Sequence, residues 1–233
     1  MKEITIIVPV FNEEKTILKI LDKIFNIKIK KQIIVVDDGS NDNTPKILLK
    51  NKKKINKLIF HKKNSGKGSA IISAKKYITG KYVVIQDADL EYNPKDILKM
   101  YNFIKKKKLD VVYGSRVLNK NKFENTKNFT HLIRIWGNVF LTNVSNIINN
   151  QKLTDAHTCY KMFKSSIFKK IFLSEKGFAF CPEITTKLSN IDLKIIEIPI
   201  NYNGRTYFEG KKISSFDGIE ALYCLIKYKF FTK

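Results

Sequence analysis

The strongest constraint in this sequence is an alternation. Short apolar, β-branched runs, ITIIVPV, QIIVVDD, KLIFH, YVVIQ and DVVYGS, are separated by stretches of helical character. A strand buried on both faces has no polar side to present, and a parallel sheet covered by crossover helices buries both faces. The pattern predicts helices from about Glu13, after Thr44, after Gly66 and from near Pro94, a residue favoured in a first helical turn. Residues 1–116 are thus expected to form a Rossmann-like, doubly wound, nucleotide-binding half of α/β class.

Residues 117–233 read differently. A long apolar helix over about 129–149 leads into LTDAHTCYKMF, then helical segments, a strand in KIIEIPINY, the loop NGRTYFEGKKIS and a closing helix in FDGIEALYCLIKYKFF. No internal repeat and no linker rich in Pro, Gly or Ser intervenes, so two lobes of one domain are expected, the second carrying the acceptor side and a lid. A chain of 233 residues with 43% apolar content is long enough to bury a core, which excludes disorder as the default.

The net charge of +23 sits largely in lysine runs such as NKKKINK and IKKKKLD. Two readings stand: solvated lysines of an AT-rich genome, or attraction to phosphates on a nucleic acid or an anionic membrane. A basic nucleic-acid-binding protein would leave the acidic strand ends unexplained, and no basic helix or aromatic platform of that kind is evident. Three cysteines without metal-ligand spacing point to a reduced, cytosolic compartment. The sequence enters a strand at once, which predicts no signal peptide. No window reaches the roughly 18–20 apolar residues of a membrane span.

In open parallel sheets ligands bind beyond the carboxyl ends of the strands, and the sharp motifs fall there: VPVFNEE, VVDDGSNDNT, IQDADLE and YGSR. Three carboxylates, Asp87, Asp89 and Glu91, occupy alternate positions after a buried strand. If extended geometry continues they share a face, and hard oxygen ligands suit Mg2+ or Mn2+ carrying a diphosphate. The bland alternative for an Asp-x-Asp is a turn or a helix cap. NSGKGSA offers close backbone approach and Lys67 at a helix start, a place for an anion, or a plain glycine turn.

Taken together, IIVPVFNEE, IIVVDDGSNDNT, NSGKGSA, QDADLEYNP and VYGSR resemble the family-2 inverting glycosyltransferases of GT-A fold. RIWGNVFLTNVSN, LTDAHTCYKMF, FCPEITTKL and NYNGRTYFEGKKIS are similar to the branch containing dolichyl-phosphate mannosyltransferase and bacterial polyprenyl-phosphate enzymes. The resemblance implies that Pro9, Phe11, Glu13, Val36 and Asp38 cradle the base and ribose of a nucleotide sugar, with Phe11 standing where the family usually has Tyr. It implies a metal on Asp87 and Asp89, Ala88 lining the pocket and Glu91 as third ligand. Arg116, Arg205 and Lys211 would face the diphosphate and acceptor phosphate, and Lys67 and Arg134 join the donor-binding set.

The activity so implied moves a hexose, mannose from GDP-mannose in the first instance, to a polyprenyl or dolichyl phosphate. A UDP-sugar donor, or a diacylglycerol or saccharide acceptor, is the alternative. Asp89, Arg205 and Lys211 would act at the leaving diphosphate. A phosphate monoester, with a second pKa of roughly 6, is already ionised and needs no base. Asp155 stays open between positioning a substrate, acting as a base toward an alcohol, and capping a turn. The lipid acceptor implies peripheral contact with the cytosolic membrane face, through the 129–149 helix, through LYCLIKYKFF or through a separate membrane partner; packing of both segments into the core is the alternative.

Overall fold

The computed structural model describes residues 2–118, 129–205 and 216–232, the side chains of 129–134 excepted. The first part of the chain alternates strand and helix: β1 (Ile4–Val10), α1 (Ile17–Phe25), β2 (Lys31–Asp37), α2 (Thr44–Lys50), β3 (Lys57–Phe60), α3 (Lys67–Lys75), β4 (Tyr82–Ile85), α4 (Lys95–Lys106) and β5 (Val111–Ser115). There follow α5 (Phe129–Asn149), β6 (Lys161–Lys164), α6 (Ser165–Lys170), α7 (Phe180–Ser189), β7 (Ile196–Pro199) and α8 (Phe216–Ile226), whose end widens into a π-helical turn, Lys227–Phe231.

The strands form one seven-stranded sheet in the order β3-β2-β1-β4-β6-β5-β7. All neighbours pair parallel except β6, which runs antiparallel to both β4 and β5. The carboxyl ends of β1, β2, β4 and β5 therefore open on the same edge, where ligands bind in such sheets.

Both sheet faces are covered, as the unbroken apolar runs predict. Ile4, Ile6, Val8 and Val10 of β1 pack with Ile17, Ile20, Leu21 and Ile24 of α1 and with Ile97, Met100 and Ile104 of α4. Ile7, Ile34 and Val36 face the other way, toward Ala70, Ile71 and Ala74 of α3 and Phe180, Ile184 and Leu188 of α7. The α1 positions recur at i, i+3, i+4 and i+7, one helical stripe, and each buried aliphatic side chain contributes about 1.5–3 kcal/mol.

One boundary and one strand differ from the sequence expectation. The helix expected from about Glu13 begins at Ile17, because Glu13 closes a turn of its own: its carbonyl accepts the Ile17 amide at 2.9 Å and its carboxylate the Thr16 hydroxyl at 2.5 Å. Strand β6 has no counterpart in the sequence reading. It carries Lys161, wholly buried, whose ammonium donates to the Ala156 carbonyl at 2.9 Å and lies 3.8 Å from the Tyr113 ring centroid. A lysine inside a four-residue strand breaks the apolar signature by which the other strands are recognised.

Candidate active site

The carboxyl end of β2 is a set of carboxylates turned onto backbone. Asp37 accepts the Ser40 hydroxyl at 2.5 Å, and burial raises its pKa. Asp38 accepts the Ser65 and Gly66 amides at 3.0 and 2.7 Å and meets His61 Nδ1 at 2.6 Å, so it fixes the loop before α3. Gly39, at φ +74, makes this possible: a Cβ there would stand 2.5 Å from the Lys63 carbonyl carbon. Pro9 and Val36 are cross-strand partners and both buried, with Phe11 half-buried beyond them.

The glycines of NSGKGSA serve close packing. A Cβ on Gly66 or Gly68 would approach the carbonyl oxygens of Lys176 and Glu175 to 2.3 and 2.0 Å. The intervening Lys67 reaches into the site, where it forms an ion pair with Asp87 and donates to Cys159 Sγ at 2.9 Å.

Beyond β4 the expected alternation does not hold. The strand stops at Ile85, and residues 86–91 turn, with Leu90 at φ +67. Glu91 accepts the Tyr202 hydroxyl at 2.8 Å and the Arg205 amide at 2.7 Å. Among the described residues no three His, Cys, Asp or Glu are grouped to hold an ion, so the expected Asp87–Asp89–Glu91 trio is not assembled as a cluster. Asp89 has a different character. Burial, then the charges of Asp87 and Glu91, push its pKa up to about 7, and its Oδ1 accepts the Glu91 amide at 3.0 Å. Ala88 beside it is buried.

Arg205 bridges the strand ends. Its guanidinium takes Glu13 in a fork at 3.0 and 2.8 Å, and its Nε donates to the Asp89 carbonyl at 2.8 Å. The segment leading to it is anchored by Asp96, which accepts the Asn201 amide at 2.7 Å. Lys211 and the Arg134 side chain lie outside the described residues.

Arg116, expected to face phosphates, is turned onto Asp155. Its Nε and Nη2 donate to the two carboxylate oxygens at 2.6 and 2.7 Å, its amide adds a third bond at 3.0 Å, and the guanidinium lies 5.2 Å from the Tyr202 ring. Burial alone would raise the Asp155 pKa; the Arg116 charge and hydrogen bonds outweigh it and hold the carboxyl at about 2. Burial and then the Lys161 charge push neighbouring His157 down to about 4.

Glu197, to which the sequence reading gave no role, holds this pair from behind, accepting the Thr154 and Asp155 amides at 2.6 and 2.9 Å. The signal for it was present: a single acid inside the apolar strand KIIEIPI. Tyr92, Tyr160 and Tyr202, also unassigned, form a ring cluster with centroids 4.8 and 5.1 Å apart behind the carboxylates.

A sequence profile described as Glycosyl transferase family 2 matches residues 5–172, spanning β1 to β6 and every strand end described above. The chain belongs to glycosyl transferase family 2. A full-length relative, UDP-N-acetylglucosamine--dolichyl-phosphate N-acetylglucosaminyltransferase of Methanococcus voltae, is 30% identical, with 98% of this chain and 96% of that protein aligned. Dolichol-phosphate mannosyltransferase of Pyrococcus furiosus is 27% identical over 97% of this chain and 64% of its own length. In fold, glucosyl-3-phosphoglycerate synthase of Mycobacterium tuberculosis, solved in complex with Mg2+ and uridine diphosphate, superimposes with a TM-score of 0.70 at 14% identity, covering 98% of this chain and 79% of that one. The protein is a glycosyltransferase with the GT-A architecture.

Proposed function

We propose that this glycosyltransferase moves a sugar from a nucleoside diphosphate to a polyprenyl or dolichyl phosphate. The observation that carries the reading is the pairing of Asp155. A general base works best with a pKa near the operating pH. Asp155, held at about 2 by a forked Arg116, is far too weak a base to deprotonate an alcohol. A phosphate monoester needs no such help, since its second proton is lost near pH 6. The names of both curated relatives, which carry dolichyl or dolichol phosphate, support the same acceptor.

The donor side fits a divalent ion. Mg2+ ordinarily takes only one or two protein carboxylates and completes its shell with water and substrate phosphate. Asp87 and Asp89 provide that number, and burial together with the charges of Asp87 and Glu91 raises the proton affinity of Asp89 despite Lys67 beside it. Bound there, Mg2+ or Mn2+ would neutralise charge on the departing diphosphate. Glu91, already engaged by Tyr202 and the Arg205 amide, positions the loop instead of binding the ion. Arg205 and Lys67 contribute fixed positive charge beside the same phosphates. Pro9, Phe11, Val36 and Asp38 form the base and ribose side, Asp38 acting through the loop it fixes. Arg116 acts on the acceptor side through its pair with Asp155.

The donor is the finer question. The relatives' names divide between N-acetylglucosamine and mannose, and the resemblance read from the sequence favours mannose. The test is a donor panel: purified protein, Mg2+ or Mn2+, a polyprenyl phosphate in detergent, and GDP-mannose, UDP-glucose and UDP-N-acetylglucosamine in parallel. Lipid-linked product from one of them is expected. Product with a polyprenol or diacylglycerol, and none with the phosphate, would refute the acceptor assignment.

A further inference from the structure

Residues 174–177, between α6 and α7, lie beyond the part of the chain that the family profile matches, yet they form the wall on which the Lys67 turn rests. The Lys176 carbonyl accepts the Ser69 amide at 3.1 Å, and the Glu175 and Lys176 carbonyls fill the space that a Cβ on Gly68 or Gly66 would need. Lys67 stands between those two glycines, and its ammonium meets Asp87 and Cys159 Sγ. The wall thus sets how far the lysine reaches.

What holds the wall is Glu183, in the first turn of α7 and fully buried. Its Oε1 accepts the Ser174 amide at 2.8 Å and the Ser174 hydroxyl at 3.0 Å, and its Oε2 accepts the Glu175 amide at 2.9 Å. Lys187, one turn further along α7, balances the charge at 2.7 Å. A buried carboxylate is costly unless it is paired and hydrogen-bonded. An ion pair serving α7 alone would need Lys187 only; the two amide bonds tie the helix to the loop in front of it. From outside, the end of α8 clasps the same loop. The Tyr228 hydroxyl donates to Glu175 at 2.6 Å and lies 2.5 Å from Ser174 Oγ, and Lys227 pairs with Glu175 at 2.8 Å.

We infer that Glu183 is a positioning residue for the nucleoside diphosphate: through residues 174–176 it fixes the place of Lys67 beside Asp87, without touching the ligand itself. The inference rests on the donor side proposed above, where Lys67 supplies charge to the diphosphate. The link runs from carboxylate to amide and from carbonyl to amide, so it has little slack. Misplacing a positioning group by about 1 Å can cost up to about a hundredfold. In Glu183→Gln the volume is kept, but one oxygen becomes an NH2 that cannot accept from an amide, so the Ser174 or the Glu175 bond is lost.

The test is calorimetric titration of the full chain with GDP and with UDP, each with Mn2+ and without acceptor. Glu183→Gln should weaken the nucleotide that the wild type binds by about tenfold, and Tyr228→Phe, which loosens the wall without altering the buried charge, by about threefold. Lys67→Ala should weaken it as well. Adding Glu183→Gln to Lys67→Ala should then cost nothing more, because a residue that acts through Lys67 has nothing left to place. Leu188→Ala, in the same helix but facing the core, should lower the melting temperature and keep nucleotide affinity.

Full affinity in Glu183→Gln and Tyr228→Phe, full affinity in Lys67→Ala, or additive losses in the double variant would overturn the inference and leave the donor site standing. A loss in Leu188→Ala as large as that in Glu183→Gln would overturn it too, by reducing the effect to instability. If Glu183→Gln fails to fold, Tyr228→Phe decides through the same cycle with Lys67→Ala. Wild-type protein that binds neither nucleotide refutes the donor reading, and the inference falls with it.

Discussion

Two aspartates at the same edge of the sheet, one half-buried and one fully buried, have opposite fates. Burial, then the charges of Asp87 and Glu91, raise the Asp89 pKa to about 7 against a smaller opposing effect of Lys67. Asp155 is gripped by Arg116, and its pKa falls to about 2. Burial pushes both upward; what separates them is whether the compensating cation is built into the chain. At Asp155 the charge is balanced by Arg116 before any ligand arrives. At Asp89 burial and two neighbouring carboxylates outweigh Lys67, which pairs with Asp87, so a further cation brought by a metal-bound substrate would be accommodated there. A perturbed carboxylate in a cleft is therefore informative only together with the sign of its perturbation.

The comparison breaks most visibly if each aspartate is made neutral. Asp155→Asn strands the Arg116 guanidinium in a buried place, and removal of one partner of a buried pair costs about 3–5 kcal/mol. Urea unfolding should show that loss, and replacing Arg116 by Met in the same chain should recover part of it. If Asp155→Asn leaves stability intact, the contrast drawn between the two residues is wrong.

Asp89→Asn should behave in the reverse way. It removes a carboxylate that feels burial and the charges of Asp87 and Glu91, so the metal-free protein keeps or gains stability. Transfer to the polyprenyl phosphate should fall by about 10²–10³, the range seen when one charge-stabilising group at a transition state is lost. Steady-state rates with Mn2+ at saturating donor measure it. A variant that turns over normally would remove Asp89 from the reaction.

Much of this architecture could be read from the residues in order. The strands β1, β2, β4 and β5 announce themselves because both their faces are apolar, and the acidic and glycine motifs at their ends indicate the site edge. What escaped depends on contacts between distant positions. The Arg116–Asp155 fork joins residues 39 apart, and neither has a local pattern that names its partner. Strand β6 is concealed by Lys161, whose burial makes sense only once the Tyr113 ring and the Ala156 carbonyl are in place. Helix α5 has a legible apolar stripe, but periodicity gives the stripe and not the side it faces; the inner polar contacts with Ala156 and Thr186 decide that.

The finest separation of the two aspartates comes from pH. An Asp whose folded pKa is raised from the ordinary value of about 3.9 to about 7 lends stability fully below pH 4 and loses it as pH rises through 7. An Asp lowered to about 2 lends stability above pH 4 and loses it only as pH falls through 2. Between pH 5 and 8, then, Asp89 changes and Asp155 does not. His157, held neutral by burial with its pKa near 4, adds a slope of the other sign up to its unfolded value of about 6.5. The useful quantity is accordingly the difference between wild type and Asp89→Asn, in which His157 cancels. That difference should move against the wild type by on the order of 2 kcal/mol from pH 5 to pH 8 without metal, after discount for the partial exposure of Asp89. Added Mn2+ should reverse it, because the ion competes with the proton for the same oxygens and so binds more tightly as pH rises. Thermal melts at pH 5.5 and 8, with and without Mn2+, give all four corners; a Mn2+ shift equal at both pH values would mean that the ion and the Asp89 proton do not share a site.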